Sequence, residues 1–103
     1  MTRSTSKKPE IFERPQSQKV HVNQSATFFC RVKSDSPVTI TWMRHEQEPI
    51  RHLPGFILLR NDSLILLHVQ KSDDGIYKCI ARNEVGASSS EATLTVLGRF
   101  VYQ

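Results

Sequence analysis

The chain has 103 residues, which is enough for one domain of common size with a single hydrophobic core. Its 14 Lys and Arg residues exceed its 10 Asp and Glu residues, but the charges are scattered, and a nucleic-acid binder would more often show a basic run with interleaved aromatics. No apolar run is long enough to span a bilayer.

Short β-rich runs follow one another along the chain, and no segment keeps a helical period for three turns. The polar start MTRSTSKKPE carries no signal-peptide pattern, so if the native protein is secreted, we expect this chain to be an excised piece without its leader. Residues 1–8 are expected to be a disordered lead-in. Breaks rich in Pro, Gly, Asn, Asp and Ser favour turns, and the series predicts a sandwich or barrel. Strands are predicted near residues 9–13, 18–22, 25–33, 38–45, 56–60, 63–69, 75–83 and 87–97.

Period-two alternation assigns one face of each strand to a shared core, because alternate side chains of a strand point the same way. Trp42 is expected to lie across a Cys30–Cys79 bridge in that core. The inward set is Ala26, Phe28, Cys30, Val32, Ile40, Trp42, Leu64, Leu66, Val69, Tyr77, Cys79, Ala81, Ala92, Leu94 and Val96.

The two cysteines, Cys30 and Cys79, favour one disulfide, because neither they nor the four histidines show metal-ligand spacing. Closing a loop of about 50 residues would stabilise the fold by about 4 kcal/mol in the chain-entropy description. No nucleophile elbow, phosphate-binding glycine loop or paired acid site occurs, so we expect no catalytic residue, metal or cofactor in this chain. A parent protein could still carry an enzymatic domain.

The chain resembles the immunoglobulin superfamily through Cys30, through Trp42 twelve residues later and through the run LILLHVQKSDDGIYKC. That run resembles the family pattern L-x-[IL]-x-x-V-x-x-x-D-x-G-x-Y-x-C. The stretch CIARNEVG resembles the I-set type through Ala81, Asn83 and Gly86. The matching residues of the longer pattern are Leu64, Leu66, Val69, Asp73, Gly75, Tyr77 and Cys79.

The resemblance implies an all-β, two-sheet Greek-key sandwich over residues 9–97, followed by a linker over residues 98–103. Its sheets would be A-B-E-D and A′-G-F-C, joined by one inter-sheet disulfide. The tyrosine-corner role falls on Tyr77, whose hydroxyl should bond to the backbone near Asp73. Asn23 and Asp62 stand where the family usually has glycine, which affects loop shape only.

Two sequons, at Asn23 and Asn61, are candidate glycosylation sites. Both asparagines also suit tight turns, because Asn tolerates positive φ. The longest break, RHEQEPIRHLPG, is interpreted as a solvated connection, with a ligand contact and mild pH sensitivity through His45 and His52 as the alternative.

The outward positions of the A-B-E-D sheet are unusually apolar, whereas a wet antiparallel sheet should alternate. If Phe56 and Leu58 point inward, strand D adds two outward residues to this surface, which we interpret as an interface for self-association or for a neighbouring domain. Cover by strand A, the N-terminal tail or Arg31 is the alternative. The outward candidates are Phe29, Ile57, Leu59, Ile65 and Leu67 there, and Met43 and Ile80 on the mixed A′-G-F-C face.

The resemblance favours an extracellular, non-catalytic protein-recognition module of a multidomain cell-surface receptor or adhesion protein, or of a secreted one. Its expected partners are a protein ligand or a second copy, with immunoglobulin or fibronectin III domains beside it in the parent chain. The net charge of +4 adds weak binding to heparan sulfate as an expectation. The alternative is a structural module of an intracellular muscle scaffold of the titin type, in which both cysteines would be free thiols.

Overall fold

The structure of the chain is a computed structural model that describes residues 7–44, 48–50, 55–59 and 61–98. Most of the predicted lead-in (residues 1–6) and linker (residues 99–103) lies outside these ranges, as do His45 and His52. The elements are β1 (Glu10–Glu13), β2 (Gln18–His21), β3 (Ala26–Phe28), β4 (Arg31–Lys33), β5 (Thr39–Arg44), β6 (Glu48–Pro49), β7 (Phe56–Leu58), β8 (Leu64–Leu66), the 3-10 helix η1 (Lys71–Asp73), β9 (Gly75–Arg82) and β10 (Ala87–Leu97).

The first sheet has the strand order β2-β10-β9-β5-β6. Strand β10 runs parallel to β2, with Val96 opposite Val20, and antiparallel to β9, with Ser90 opposite Cys79. In the lettering of the fold, these strands are A′, G, F and C with a short strand added at the edge. The predicted A′-G-F-C sheet is therefore confirmed.

The second sheet consists of two hydrogen-bonded pieces, β1-β4 and β3-β8-β7, which together give the predicted order A-B-E-D. Strand B was predicted as one strand and is split into β3 and β4. The reason is that its partners do not overlap: β8 pairs only up to Phe28, opposite Leu64, and β1 begins to pair at Arg31, opposite Glu13. Phe29 and Cys30 lie between the two registers.

Strand β6 was not predicted, because the segment around it is rich in charge and proline. It pairs Met43 with Pro49, and the backbone N–H of Ile50 then donates to the Trp42 carbonyl at 2.9 Å. Ile50 is 2% exposed and belongs to the core. The interpretation of this connection as solvated throughout is therefore wrong at Ile50.

The core between the sheets is closed by the disulfide and by three aromatic rings. Cys30 and Cys79 are bonded, with an S–S distance of 2.03 Å, and link the two sheets. Phe28 stacks on Tyr77 at a centroid distance of 5.3 Å and meets Trp42 at 6.2 Å. All five side chains are at most 2% exposed, as the alternation predicted.

A hydrogen-bonded corner joins η1 to the start of β9. The Tyr77 hydroxyl donates to the Asp73 carbonyl at 2.6 Å, and the backbone N–H of Gln70 donates to Asp73 Oδ2 at 2.7 Å. The Arg44 guanidinium lies 3.2 Å from Asp73 Oδ1 and 5.3 Å from the centre of the Phe56 ring. Asp73 and Tyr77 are thereby fixed, and Arg44 connects the corner to strand β7.

The side chain of Asn83 fastens the β9–β10 turn to two other segments. Its Oδ1 accepts from the backbone N–H groups of Val85 and Gly86, at 2.8 and 3.1 Å. Its Nδ2 donates to the Lys7 carbonyl at 2.6 Å and to Ser34 Oγ at 3.0 Å. Residues 7 and 8, assigned to the lead-in from the sequence, thus lie against the folded domain.

Candidate functional site

The outward side of the β3-β8-β7 sheet carries the apolar residues expected there. The register places Thr27, Ile65 and Ile57 in one row across the three strands. Leu59 and Leu67 extend this surface on either side of the row. The Leu59 N–H donates to the Ser63 carbonyl and the Leu67 N–H donates to the Gly55 carbonyl, so the pairing of β7 with β8 continues at both ends. We call Phe29, Ile57, Leu59, Ile65 and Leu67 the outer apolar face.

Four members of the outer apolar face are substantially exposed. Phe29 is 41%, Ile57 40%, Leu59 41% and Leu67 37% exposed, while Ile65 at the centre of the surface is half-buried. Contiguous exposed apolar patches, as opposed to scattered single apolar residues, commonly mark an interaction site. The structure therefore brings all five of these candidates onto one surface.

The alternative cover by strand A is not seen in the described residues. Strand β1 pairs beside β4 in the plane of the sheet, with Ile11 opposite Val32. The Arg31 guanidinium pairs with Glu13 of β1, with Nε 2.6 Å from Oε1, and Phe29 is left 41% exposed. The sheet is thus charged toward β1 and apolar toward β7.

Strand β7 forms the edge of this sheet, and this position explains why Leu58 is exposed. Leu58 pairs with Leu64 and lies on the inner side of the sheet, yet it is 45% exposed, whereas Phe56 is partly buried against the core. The predicted inward frame is present, but no described strand lies beyond β7 to cover Leu58. The sequence prediction missed this exposure, because alternation gives the side of a sheet and not its edge.

Two further exposed apolar side chains were not among the candidates. Phe12 is 58% exposed, because an irregularity between Ile11 and Glu13 shifts the register of β1. Val85 is 47% exposed at the tip of the turn held by Asn83. The sequence shows that both residues are apolar, but their exposure depends on the local strand register and turn geometry, which the sequence does not show.

The outer side of the A′-G-F-C sheet is mixed. Met43 and Ile80 are half-buried, and Lys78 lies opposite both Met43 and Glu91. Beside them is a shallow cavity of about 220 Å³, which is lined by Lys78, Ile80, Arg82, Ala87, Ser88 and Ser89. Small hydroxyl side chains and alternating charges give this surface less apolar character than the outer apolar face.

Both sequon asparagines are exposed and lie in turns. Asn23 has φ of 75°, and its Oδ1 accepts from Gln70 Nε2 at 3.1 Å. Asn61 Oδ1 accepts from the Ser63 N–H at 3.1 Å. In each case the carbonyl oxygen makes the contact, and no described residue accepts from the Nδ2 atom, which is the atom that would carry a glycan.

The basic side chains do not gather into a stripe in the described part of the chain. Lys7, Lys8 and Lys33 line a small cavity of about 120 Å³, but Glu10 and Asp35 line it too. Within the described ranges, no group of three or more His, Cys, Asp or Glu side chains is placed to hold a metal ion. No helix of the described residues is long and apolar enough to cross a membrane.

Two groups beside the core have raised pKa values. Burial raises the pKa of Tyr77 to about 12, and the Asp73 and Asp74 carboxylates add to this rise while Arg44 opposes it. Burial also raises the pKa of Asp62, whose backbone carbonyl accepts from Trp42 Nε1 at 2.8 Å. The Tyr77 hydroxyl belongs to the packed core, whereas Asp62 is an exposed residue that contributes to the packing through its backbone carbonyl.

Comparison with known proteins supports this fold. A family profile described as "Immunoglobulin I-set domain" matches residues 9–96. The chain belongs to the immunoglobulin I-set family. Domains of this family are generally non-catalytic, so the functional surface of this I-set domain must be sought on its strands and turns.

Curated relatives of this I-set domain are much longer proteins. A peroxidasin homolog of Caenorhabditis briggsae is 35% identical over 92 residues, which cover 87% of this chain and 7% of the relative. Human Roundabout homolog 3 is 36% identical, covering 86% of this chain and 6% of the relative. The vascular endothelial growth factor receptor kdr-like of Danio rerio is 31% identical, covering 87% and 7%. The chain thus spans about 7% of the length of these proteins.

Solved structures similar to this I-set domain include titin domains. A chimeric titin Z1Z2 has a TM-score of 0.85 at 27% identity, covering 91% of this chain and 98% of that chain. The I67–I69 fragment of titin has a TM-score of 0.79 at 32% identity, covering 91% and 33%. I-set domains similar to this one therefore occur both in a protein named as a receptor and in titin.

Proposed function

We propose that this chain is a non-catalytic, extracellular protein-recognition module of a multidomain cell-surface receptor or adhesion protein. It would contact its protein partner through the outer apolar face. The observation that carries the proposal is the exposure of this face on a domain whose core is complete without it. Burial of apolar surface drives most protein association, at about 25 cal/mol per Å².

The outer apolar face differs from the core in how much of its apolar surface is buried by folding. Leu64 and Leu66 fill the core side of β8 and are at most 1% exposed. Their neighbours Ile65 and Leu67 point to the other side, where Leu67 is 37% exposed and Ile65 is half-buried. These outward side chains leave apolar surface in water, which a partner would remove.

The extracellular location rests on the disulfide and the sequons. Disulfides persist in oxidising compartments and are rare in the cytosol. Asn61, in the β7–β8 turn, and Asn23, in the turn after β2, lie at opposite ends of the outer apolar face. Glycans at these two sites would flank the face and leave its centre at Ile65 open.

A secretion experiment tests the location. Fused to a signal peptide and secreted from mammalian cells, the chain should carry glycan at Asn23, Asn61 or both, and should contain no titratable thiol. Asn23→Gln and Asn61→Gln variants assign the glycan mass to each site. Secreted protein with neither glycan nor disulfide would contradict the proposed compartment.

A binding experiment tests the surface. Beads coated with the chain should bind intact cells that display its partner, and this binding should be sensitive to protease treatment of the cells. The pair Ile65→Thr and Leu67→Lys should abolish binding. The matched control Thr93→Lys adds the same charge on the opposite sheet, where Thr93 is exposed, and should leave binding intact. Equal loss in both variants would remove the outer apolar face from the proposal.

A structural module of the titin type is the second candidate, and the similarity to the titin I67–I69 fragment at 32% identity favours it. In that setting Cys30 and Cys79 would be reduced. Intact mass before and after reduction of protein isolated from its native tissue decides between the two. A gain of about two daltons on reduction supports the extracellular module, and its absence supports the scaffold. Weak heparan sulfate binding stays a prediction from net charge.

A further inference from the structure

The backbone of the edge strand β7 is oriented for pairing across its outer edge. The Leu59 N–H donates to the Ser63 carbonyl and the Leu67 N–H donates to the Gly55 carbonyl. Hydrogen-bonded pairs alternate along an antiparallel ladder, so Ile57 also faces β8 with its polar backbone groups. The N–H and C=O groups of Phe56 and Leu58 therefore point away from β8.

Nothing in strand β7 protects this edge among the described residues. Edge strands usually carry lysine, proline or a bulge that prevents pairing with another chain. The sequence Phe56–Leu58 contains none of these and pairs with β8 in unbroken register. Leu58, 45% exposed on the inner side of the sheet, projects beside the same edge.

We infer that the partner of the outer apolar face is a second copy of this chain, which pairs antiparallel through β7 about a two-fold axis at Ile57. This inference rests on the proposed function, because it names the occupant of the same face. With the axis at Ile57, Phe56 of each copy exchanges both backbone hydrogen bonds with Leu58 of the other. Four hydrogen bonds form, and every outward-pointing backbone group of β7 is used.

Side chains on both sides of the joined sheet match this register. On the outer side, the row Thr27, Ile65 and Ile57 continues into the same row of the second copy, so the two apolar faces merge. On the inner side, Leu58 lies opposite Phe56 of the second copy. Phe56 is already held by the Arg44 guanidinium, 5.3 Å from its ring centre. A self-complementary strand of this kind pairs best with its own copy.

The size of the contact fixes the expected strength. A stable protein interface buries about 800 Å² on each partner, and one short strand with a few side chains buries less. The pairing should therefore be weak, with monomer and dimer both populated between micromolar and sub-millimolar concentrations. Tethering on a cell surface would strengthen such a contact through effective concentration.

Sedimentation equilibrium of the chain over this concentration range tests the pairing. Wild type should show a monomer–dimer equilibrium. Ile57→Lys places two like-charged side chains opposite each other at the axis, on Cα atoms about 4.5 Å apart, and should raise the dissociation constant roughly a hundred-fold. Leu58→Pro should weaken pairing more than Leu58→Ala, because only proline removes the outward N–H. A monomer at every concentration, or a dissociation constant that Ile57→Lys leaves unchanged, would overturn the inference.

A cysteine at the axis provides the sharpest readout. Because Cys30 and Cys79 are bonded and no cysteine is free, an introduced cysteine supplies the only thiol. Ile57→Cys should oxidise to a covalent dimer, since about 4.5 Å between Cα atoms suits a disulfide. The control Leu59→Cys is at a position equally exposed in wild type, one residue past the end of β7, but would lie roughly 14 Å from its copy, and it should remain monomeric. Equal rates for the two variants would refute the register.

The two proposals fail in different ways. If beads bind cells through the outer apolar face while the chain sediments as a monomer, recognition stands and self-pairing is refuted. If neither occurs, the proposed function is refuted as well.

Discussion

The Tyr77 hydroxyl makes the stability of this domain sensitive to alkaline pH. It is fully buried, stacks on Phe28 and donates to the Asp73 carbonyl at 2.6 Å. Burial raises its pKa from about 10 to about 12. Ionisation would place a phenolate in the core and replace a donated hydrogen bond by repulsion from the carbonyl oxygen.

The sign and size of the effect follow from linkage. The folded-state pKa lies above the unfolded one, so the contribution is fully present below about pH 10 and is lost as the pH rises toward about 12. Two units of pKa correspond to about 3 kcal/mol. At neutral pH, Tyr77→Phe should cost about 1–2 kcal/mol, because it removes one buried hydrogen bond and leaves the Asp73 carbonyl without its donor.

Guanidinium unfolding of wild type and Tyr77→Phe between about pH 9 and about pH 12 measures this difference. Wild type should lose about 2 kcal/mol more than the variant across that range, because half of the folded Tyr77 is still protonated at pH 12. The sequence has two tyrosines, and the second, Tyr102, lies outside the described residues. In a Tyr102→Phe background, Tyr77 is the only phenol, and its titration can be followed alone. Its tyrosinate absorbance should then titrate near pH 12 in folded protein. Parallel stability profiles, or titration near pH 10 before unfolding, would refute the reasoning.

Three further changes separate the parts of the fold. Replacing Cys30 and Cys79 by alanine should lower the free energy of unfolding by about 4 kcal/mol, which guanidinium titration measures, and a loss under about 1 kcal/mol would contradict the cross-link. Asn83→Asp keeps the two acceptor contacts but removes both Nδ2 donations, so unfolding should become easier by about 1–2 kcal/mol, with faster hydrogen exchange at the chain's beginning. Leu64→Ala should cost about 2–5 kcal/mol by thermal unfolding, whereas Leu67→Lys should stay within about 0.5 kcal/mol, and similar losses would place Leu67 in the core.

Most of the fold could be predicted, because the strands obey two local rules. Alternation placed Phe28, Trp42 and Leu94 inward, and all three are buried. Turn residues set the breaks, and β10 has the predicted bounds, residues 87–97. The split of strand B could not be predicted, because it depends on where β1 and β8 stop, which is a property of other strands.

The surface was harder to predict than the core. The outward residues of the outer apolar face were identified, since a period-two pattern gives both sides of a strand. Exposure of Leu58 was not, because it depends on β7 being an edge. Burial of Ile50 was not, because a single apolar residue among charges has no period, and only the backbone bond to Trp42 brings it into the core.

The outer apolar face and the core can be altered independently, so an effect on binding can be distinguished from an effect on stability. The two sheets are already joined by the disulfide and closed around Trp42, and the Arg44 contact that ties the Tyr77 corner to β7 is made to the inward Phe56 and not to the outer apolar face. A substitution at Ile57 or Leu67 therefore changes the surface available to a partner and leaves the disulfide and the core packing unchanged. Loss of binding without loss of unfolding free energy is the signature of a recognition surface, and a loss of both would assign these side chains to the stability of the domain itself.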